Sequence, residues 1–215
     1  LLNLHKLLLI LTQSTMKLIL ITITIVALLL IIFQSYLILA QTETQQYKVI
    51  KTEEKYEIRL YPSTTMASVT INAKSYKELA SPGFRKLANY IFVGNKSKTN
   101  IAMTTPVHMN INDTGSSMSF VMPSEYTSNN LPQPNDSSVS IFTSEEEFVA
   151  VTSFGGFAND ELIKSHAQKL ANTLKANKIE YYGNFRFLGY NAPYQIVGRK
   201  NEIIVSVKWN PKTNN

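Results

Sequence analysis

The sequence predicts an α+β fold: a mainly antiparallel sheet or open barrel that carries two helices, behind an apolar N-terminal segment. Three observations predict it. Short runs rich in β-branched and aromatic residues recur beyond residue 47, and two stretches between them show apolar residues at helical spacing. The order strand, strand, helix, strand, strand occurs twice, which implies one domain of two related halves. No alternation of strand and crossover helix of the parallel-sheet kind is visible.

The N-terminal segment comes first. Between Lys17 and Glu43 the chain has no charged side chain, and Leu18–Ala40 is apolar over a length that can cross a bilayer. Lys6 and Lys17 precede it with no acid, the positive flank of a cytosolic N-terminus. Residues 1–40 therefore read as a signal peptide or an N-terminal membrane anchor, with Met16 as a candidate true start. A cleavage point after Ala40 has a small residue at −1 but Ile38 at −3, whereas the length of the run favours a retained anchor. Either way the rest of the chain is expected in the secretory lumen or outside the cell, free or tethered. The triplets at Asn95, Asn112 and Asn135 are glycan acceptor sequons that fit this route.

Residues 41–46 read as a polar linker, 47–209 as the domain and 210–215 as a tail. Tyr56–Tyr61 alternates as a strand that Pro62 ends, and Thr64–Ile71 reads as the returning strand. A helix follows, with Phe84, Leu87, Ala88 and Ile91 as its apolar side. It starts either at Ser81 with Pro82 in the first turn, or near Tyr76 with Pro82 as a kink. Ile101–Ile111 reads as one strand, paired with Ser119–Met122. A loop over 124–138 is rich in Asn, Ser and Pro. Strands at Val139–Thr143 and Phe148–Phe154 precede a second helix over Asp160–Ala176. Asn159 caps that helix, Asp160 and Glu161 sit in its first turn, and Ile163, Ala167, Leu170 and Leu174 form its apolar side. Phe185–Tyr190 and Ile203–Trp209 complete the strands.

Composition narrows the function. There is no cysteine, so disulfides and thiolate chemistry are excluded. Beyond Ala40 there are 19 Lys and Arg against 15 Asp and Glu, scattered, with no basic stripe for nucleic acid. His108 is expected opposite the Val107/Met109 face, at solvent or a polar rim. His166 is expected at the edge of the buried helical face, and two isolated histidines meet no metal-ligand spacing. Glu145-Glu146-Glu147 reads as a solvated turn. Ser153 and Ser165 lie in no nucleophile-elbow motif, and Gly155-Gly156 lacks the rest of a phosphate loop. No enzyme constellation emerges.

Several segments together carry a resemblance. They are Tyr56-Glu57-Ile58-Arg59-Leu60-Tyr61, Gly83–Ile91, Ile101-Ala102-Met103-Thr104-Thr105-Pro106-Val107, and Phe154-Gly155-Gly156-Phe157. Gly189-Tyr190-Asn191-Ala192-Pro193 and Arg199-Lys200-Asn201-Glu202-Ile203 follow. In this order, from about Tyr47 to Trp209, the chain resembles the SOUL/haem-binding protein family. The resemblance implies a distorted antiparallel barrel of two βαββ-type repeats with two helices, and non-enzymatic binding of haem or another tetrapyrrole. It implies a shallow apolar groove between the first helix and the loop before the last strand. By position that groove is Phe84, Arg85, Ala88 and Asn89 with Tyr194, Gln195, Ile196, Val197 and Arg199. Arg85, Lys86 and Arg199 are the cations for propionates. Leu60 stands where some relatives carry a proposed axial histidine, and Asn89 and Gln195 stand where others carry lysines. Haem held without a firm axial ligand is therefore the expectation. Other occupants of the same groove are an amphipathic small molecule, a lipid or an amphipathic peptide helix. A membrane is a partner only through the N-terminal segment.

Overall fold

The computed structural model describes residues 2–40 and 42–211, with the side chains of 12–35 and 42–211. Leu1, Gln41 and residues 212–215 lie outside the described residues, and with them part of the Ala40–Gln41 junction and of the expected tail. The N-terminal unit is one helix, α1 (Leu2–Ala40). Its stretch Thr12–Ser35 has a mean hydropathy of 2.9 and is long and apolar enough to cross a membrane. The hydroxyls of Thr22, Thr24 and Ser35 each donate to the carbonyl four residues back, so they leave the apolar surface unbroken.

The second unit runs from Glu43. It contains strands β1 (Glu43–Thr44), β2 (Lys48–Thr52), β3 (Glu57–Tyr61) and β4 (Thr65–Ile71), then helix α2 (Tyr76–Phe92). Strands β5 (Thr104–Thr105), β6 (Val107–Asn110), β7 (Ser116–Val121), β8 (Val139–Thr143) and β9 (Glu147–Gly155) follow. Helix α3 (Asp160–Ala176) and strands β10 (Tyr181–Gly189) and β11 (Lys200–Val207) complete it. Nine strands form one sheet in the order β2-β3-β9-β11-β10-β6-β7-β4-β8, every pair antiparallel. Strands β1 and β5 form a separate parallel pair.

Topology dictates that the sheet is rolled. Tyr61 ends β3 and Thr65 starts β4, yet these strands lie six places apart in the sheet. Four residue steps reach at most ~14 Å, whereas six strand spacings in a flat sheet need about 29 Å. The link from Thr143 in β8 to Glu147 in β9 makes the same jump in the opposite sense. The two links clasp each other: Thr64 N donates to Ser144 Oγ at 3.1 Å, and Ser144 N donates to Thr64 O at 2.8 Å. The ladder between β2 and β8 stays unpaired, so the result is an open roll and no closed barrel.

The predicted duplication has a precise form. β3-β4-α2-β6-β7 and β8-β9-α3-β10-β11 are the two halves, and each lends its first strand to the other's side of the sheet. The two helices have equal length, 17 residues. Their first turns meet, where Asp160 Oδ1 accepts from Tyr76 N at 2.6 Å. Both helices pack on the outside of the roll over the larger apolar cluster, which includes Ile58, Leu79, Leu87, Met118, Leu170, Leu174, Phe187 and Ile203. A smaller cluster of Tyr61, Val149, Val151, Leu188 and Ile204 lies on the inner face.

Of the two expected starts of α2, the structure has the earlier, at Tyr76, with Ser75 as N-cap accepting from Glu78 N and Pro82 inside the helix, so Ser81 is no cap. Four other expectations change. The strand expected over Ile101–Ile111 is split at Pro106, which has no N–H to give a ladder. Residues 43–46, read as linker, hold β1, and Gln45 N donates to Thr105 O. Strand β2 was not foreseen, and β10 starts four residues earlier than expected.

Candidate functional site

The expected groove has two parts. On α2, Leu87 is buried while Phe84 and Ala88 are half-buried beside it, and Arg85 and Asn89 are exposed. Phe84 packs edge-on against Phe120 of β7, with ring centroids 5.4 Å apart. Gly83 lets α2 approach this closely, since a Cβ there would sit 3.2 Å from three atoms of Met118. The second part is the segment between β10 and β11. Tyr194, Ile196 and Val197 are 69%, 77% and 83% exposed, large apolar side chains presented to water.

Arg199 builds that segment rather than facing a ligand. Its Nη1 donates to the carbonyls of Ala192 and Gln195 at 2.9 and 2.7 Å, and its guanidinium lies 4.5 Å above the Phe157 ring. Its Nε is buried without a partner. Lys86 is also engaged, donating to Asp136 Oδ2 and Ser138 Oγ at 2.9 Å each. Among the three expected cations, Arg85 alone has no ion pair or hydrogen bond among the described residues. Gln195 Nε2 donates to Val197 O. Among the described residues no hydrogen bond, ion pair or ring contact joins Phe84, Ala88 or Asn89 to Tyr194–Val197. The segment's charge at Arg199 is felt at Tyr76, the start of α2. Phe84–Asn89 lie roughly 12–20 Å further along that helix axis.

Neither domain histidine reaches these surfaces. His166 stacks on Phe154 of β9, with centroids 4.2 Å apart, and burial followed by the Lys169 charge lowers its pKa. His108, expected at solvent or a polar rim, is half-buried on the polar wall of a hollow. It is inside the roll, where its Nε2 lies 2.7 Å from Gln45 Oε1. Burial, and then the charge of Arg186, push its pKa down to about 3, so the imidazole is neutral. Leu60 lies on the half-exposed side of β3. Among the described residues no cluster of His, Asp and Glu could hold a metal ion.

The inner face carries what sequence reasoning missed. Arg59 donates to both carboxylate oxygens of Glu202 at 3.0 and 3.1 Å, and Tyr190 Oη donates to the same carboxylate at 2.6 Å. Tyr47 stacks above the guanidinium at 4.2 Å. Glu147, expected in a solvated turn, instead receives Arg186 in a two-pronged pair at 2.8 Å. Beside these pairs a hollow of about 180 Å³ opens, bordered by Tyr61, Met66, His108, Ser117, Phe142 and Arg186 among others. Several strands supply its walls because the sheet is rolled around it.

Comparisons with known proteins bear on this geometry. Residues 42–206 match the family described as SOUL heme-binding protein. Heme-binding protein 1 of Xenopus laevis is 29% identical, over 77% of this chain and 93% of its own length. Heme-binding protein 2 of Mus musculus is 31% identical, over 74% of this chain and 82% of its own. The C-terminal domain of EcmrR superposes with a TM-score of 0.58 at 8% identity, covering 73% of this chain and 98% of that one. An uncharacterised protein from Listeria innocua superposes at 0.54 and 11%, covering 73% and 93%. At such identities the last two show a common fold alone.

Proposed function

Because the chain belongs to the SOUL heme-binding protein family, we propose that it binds haem or another tetrapyrrole, non-covalently and without chemistry, as a carrier or buffer. The observation that carries the reading is the exposed apolar surface formed by Tyr194, Ile196 and Val197, matched by the half-buried Phe84 and Ala88 of α2. A solvated loop gains nothing from three such side chains, whereas a flat apolar ring covers them at about 25 cal/mol per Å². The ring supplies apolar area and two carboxylates. Phe84, Ala88, Tyr194, Ile196 and Val197 would hold the area, with Asn89 and Gln195 as polar neighbours. Arg85 is the free cation for a carboxylate, because Lys86 and Arg199 are already committed. Holding the group needs no axial histidine, in keeping with Leu60 and with both domain histidines lying elsewhere.

The domain from Glu43 owns both apolar clusters and every strand pairing, so residues 42–215 are the material for the test. Titration with hemin is expected to shift the Soret band from that of free hemin and to saturate near one equivalent. Ile196→Asp and Phe84→Asp each weaken binding at least tenfold, Arg85→Glu weakens it less, and His108→Gln leaves it unchanged. A spectrum that stays that of free hemin at micromolar protein overturns the proposal.

A further inference from the structure

The hollow inside the roll is unrelated to the surface just described, and its chemistry differs. Its volume of about 180 Å³ is near that of a cavity that takes one benzene ring. It falls short of the ~300 Å³ where sites for drug-sized molecules begin. A tetrapyrrole does not fit it.

The hollow exists because the two halves fill the inner face differently. On the side of β9, β10 and β11 that face includes Val149, Val151, Leu188 and Ile204, which close into an apolar cluster beside the Arg186–Glu147 and Arg59–Glu202 pairs. On the side of β4, β7 and β8 the inward positions include Ser68, Ser117, Ser119 and Ser140, since their strand neighbours Val69, Met118, Phe120 and Val139 belong to the helix-side core. Of these, Ser117 and Ser119 border the hollow, and their short side chains leave its space open. An eight- or nine-strand roll has room for one small guest once its filling side chains are short.

Hydrogen-bonding capacity is left over in this space. Tyr61 lines the hollow and is only 3% exposed, and its hydroxyl, next to Arg59 and Tyr190, completes no hydrogen bond of ordinary geometry among the described residues. An amide oxygen only accepts, so His108 Nε2 holds the proton toward Gln45 Oε1 and Nδ1 keeps an unused lone pair. Arg186 and Glu147 neutralise each other in their two-pronged pair, so the wall offers no free cation, and the exposed Glu145 adds a carboxylate at its edge. Met66, Phe142 and Ile204 supply apolar contact, with the polarisable thioether suited to an aromatic edge.

We propose that the interior of the rolled sheet is a second binding site, which takes one small uncharged ring compound bearing a hydroxyl, of phenol size, with Tyr61 and His108 as its hydrogen-bonding partners. The ring occupies the volume over the serines. The hydroxyl donates to His108 Nδ1 or accepts from Tyr61 Oη. An anion of the same size is rejected, because it would be buried without a free countercharge.

The test uses the full chain in lipid nanodiscs, with empty nanodiscs as reference, and fluorine NMR of 4-fluorophenol, fluorobenzene and 4-fluorobenzoate. 4-Fluorophenol is expected to saturate at one site, fluorobenzene to bind more weakly, and 4-fluorobenzoate not to bind. Ser117→Phe fills the space and abolishes saturation. Tyr61→Phe, which keeps the ring and its packing, weakens 4-fluorophenol about three- to tenfold at an unchanged melting temperature. It leaves fluorobenzene unchanged. Ile196→Asp, at a side chain 77% exposed outside the roll, changes none of this, so loss of the tetrapyrrole reading would not touch the result. Failure of 4-fluorophenol to saturate at millimolar concentration overturns the proposal, as does equal binding by Tyr61→Phe or equal binding of 4-fluorobenzoate.

Discussion

Glu202 is fully buried yet ionised, and the balance that keeps it so is visible in its neighbours. Burial alone would raise its pKa, but hydrogen bonds from Arg59 and Tyr190 outweigh this and hold it below the usual range. Burial, and then Tyr61 and the same carboxylate, push the Tyr190 hydroxyl well up. Removing one partner of such a pair leaves a buried charge alone, so Arg59→Met is expected to cost about 3–5 kcal/mol. Arg59→Met with Glu202→Leu recovers much of that. Urea unfolding followed by the single tryptophan, Trp209, measures both. His108 adds a pH dependence of its own. Its folded pKa lies at about 3 against 6.5 unfolded, so the unfolded chain takes up the proton first. The stability tied to neutral His108 is complete above pH 6.5 and is lost as pH falls from there toward 3. In melts across this window His108→Gln is expected to decline less steeply than the wild type. None of these partnerships was legible locally, since Arg59 and Glu202 are 143 residues apart.

At the level of elements, the helices were readable and their junction was not. The period of α3 and its Asn159 cap stand in the sequence as they do in the fold. For α2 the clearer start signal was Ser75-Tyr76-Lys77-Glu78, the spacing of a capping box, with Glu78 Oε2 reaching back to Lys74 N. Ser81-Pro82 offers a competing start signal six residues on. Asp160 then does two jobs. It is an acid in the first turn of its own helix, and it caps α2 by accepting from Tyr76 N and, at 3.4 Å, Lys77 N. Asp160→Ala is therefore expected to cost about 1–2 kcal/mol, more than an ordinary first-turn acid, with Asp160→Asn intermediate. Denaturant midpoints at unchanged slope would check this. Strand β2 escaped notice because KVIKT is short, lies at the sheet edge and is shifted in register between Val49 and Lys51. The exposed Tyr194–Val197 segment has no period at all. Only its likeness to a family marked it.

At the scale of the whole molecule, the decisive fact is non-local: two three-residue links join strands six places apart. Periodicity identifies strands, but it does not say that the first strand of each half crosses to the other, so the roll and its hollow lay beyond local patterns. The serines at alternate positions of β4, β7 and β8 were the trace it left in the sequence. Exchange also decides which chemistry the surface can accept. Asn95 is fully buried, and its Nδ2 donates to Tyr90 O at 3.0 Å and Thr99 O at 2.7 Å. A glycan on that nitrogen removes these bonds and has no space, so the Asn95 sequon is incompatible with the folded domain. Asn135 is exposed in the loop before β8, and its backbone N–H is already satisfied by Gly94 O. Asn112 is half-buried and its amide donates to Asn110 Oδ1 at 3.3 Å. Expressed through a secretory route from its own α1, the chain is therefore expected to carry glycan at Asn135 first, little at Asn112 and none at Asn95. Peptide mass mapping with and without glycosidase reads the occupancy directly. Asn135→Gln should remove most of the glycan mass without lowering the melting temperature, whereas Asn95→Gln should leave the mass unchanged and destabilise the domain by about 1–3 kcal/mol through the lost buried hydrogen bonds. Glycan found on Asn95 in cooperatively folding protein would contradict the packing of the α2–β5 connection described above.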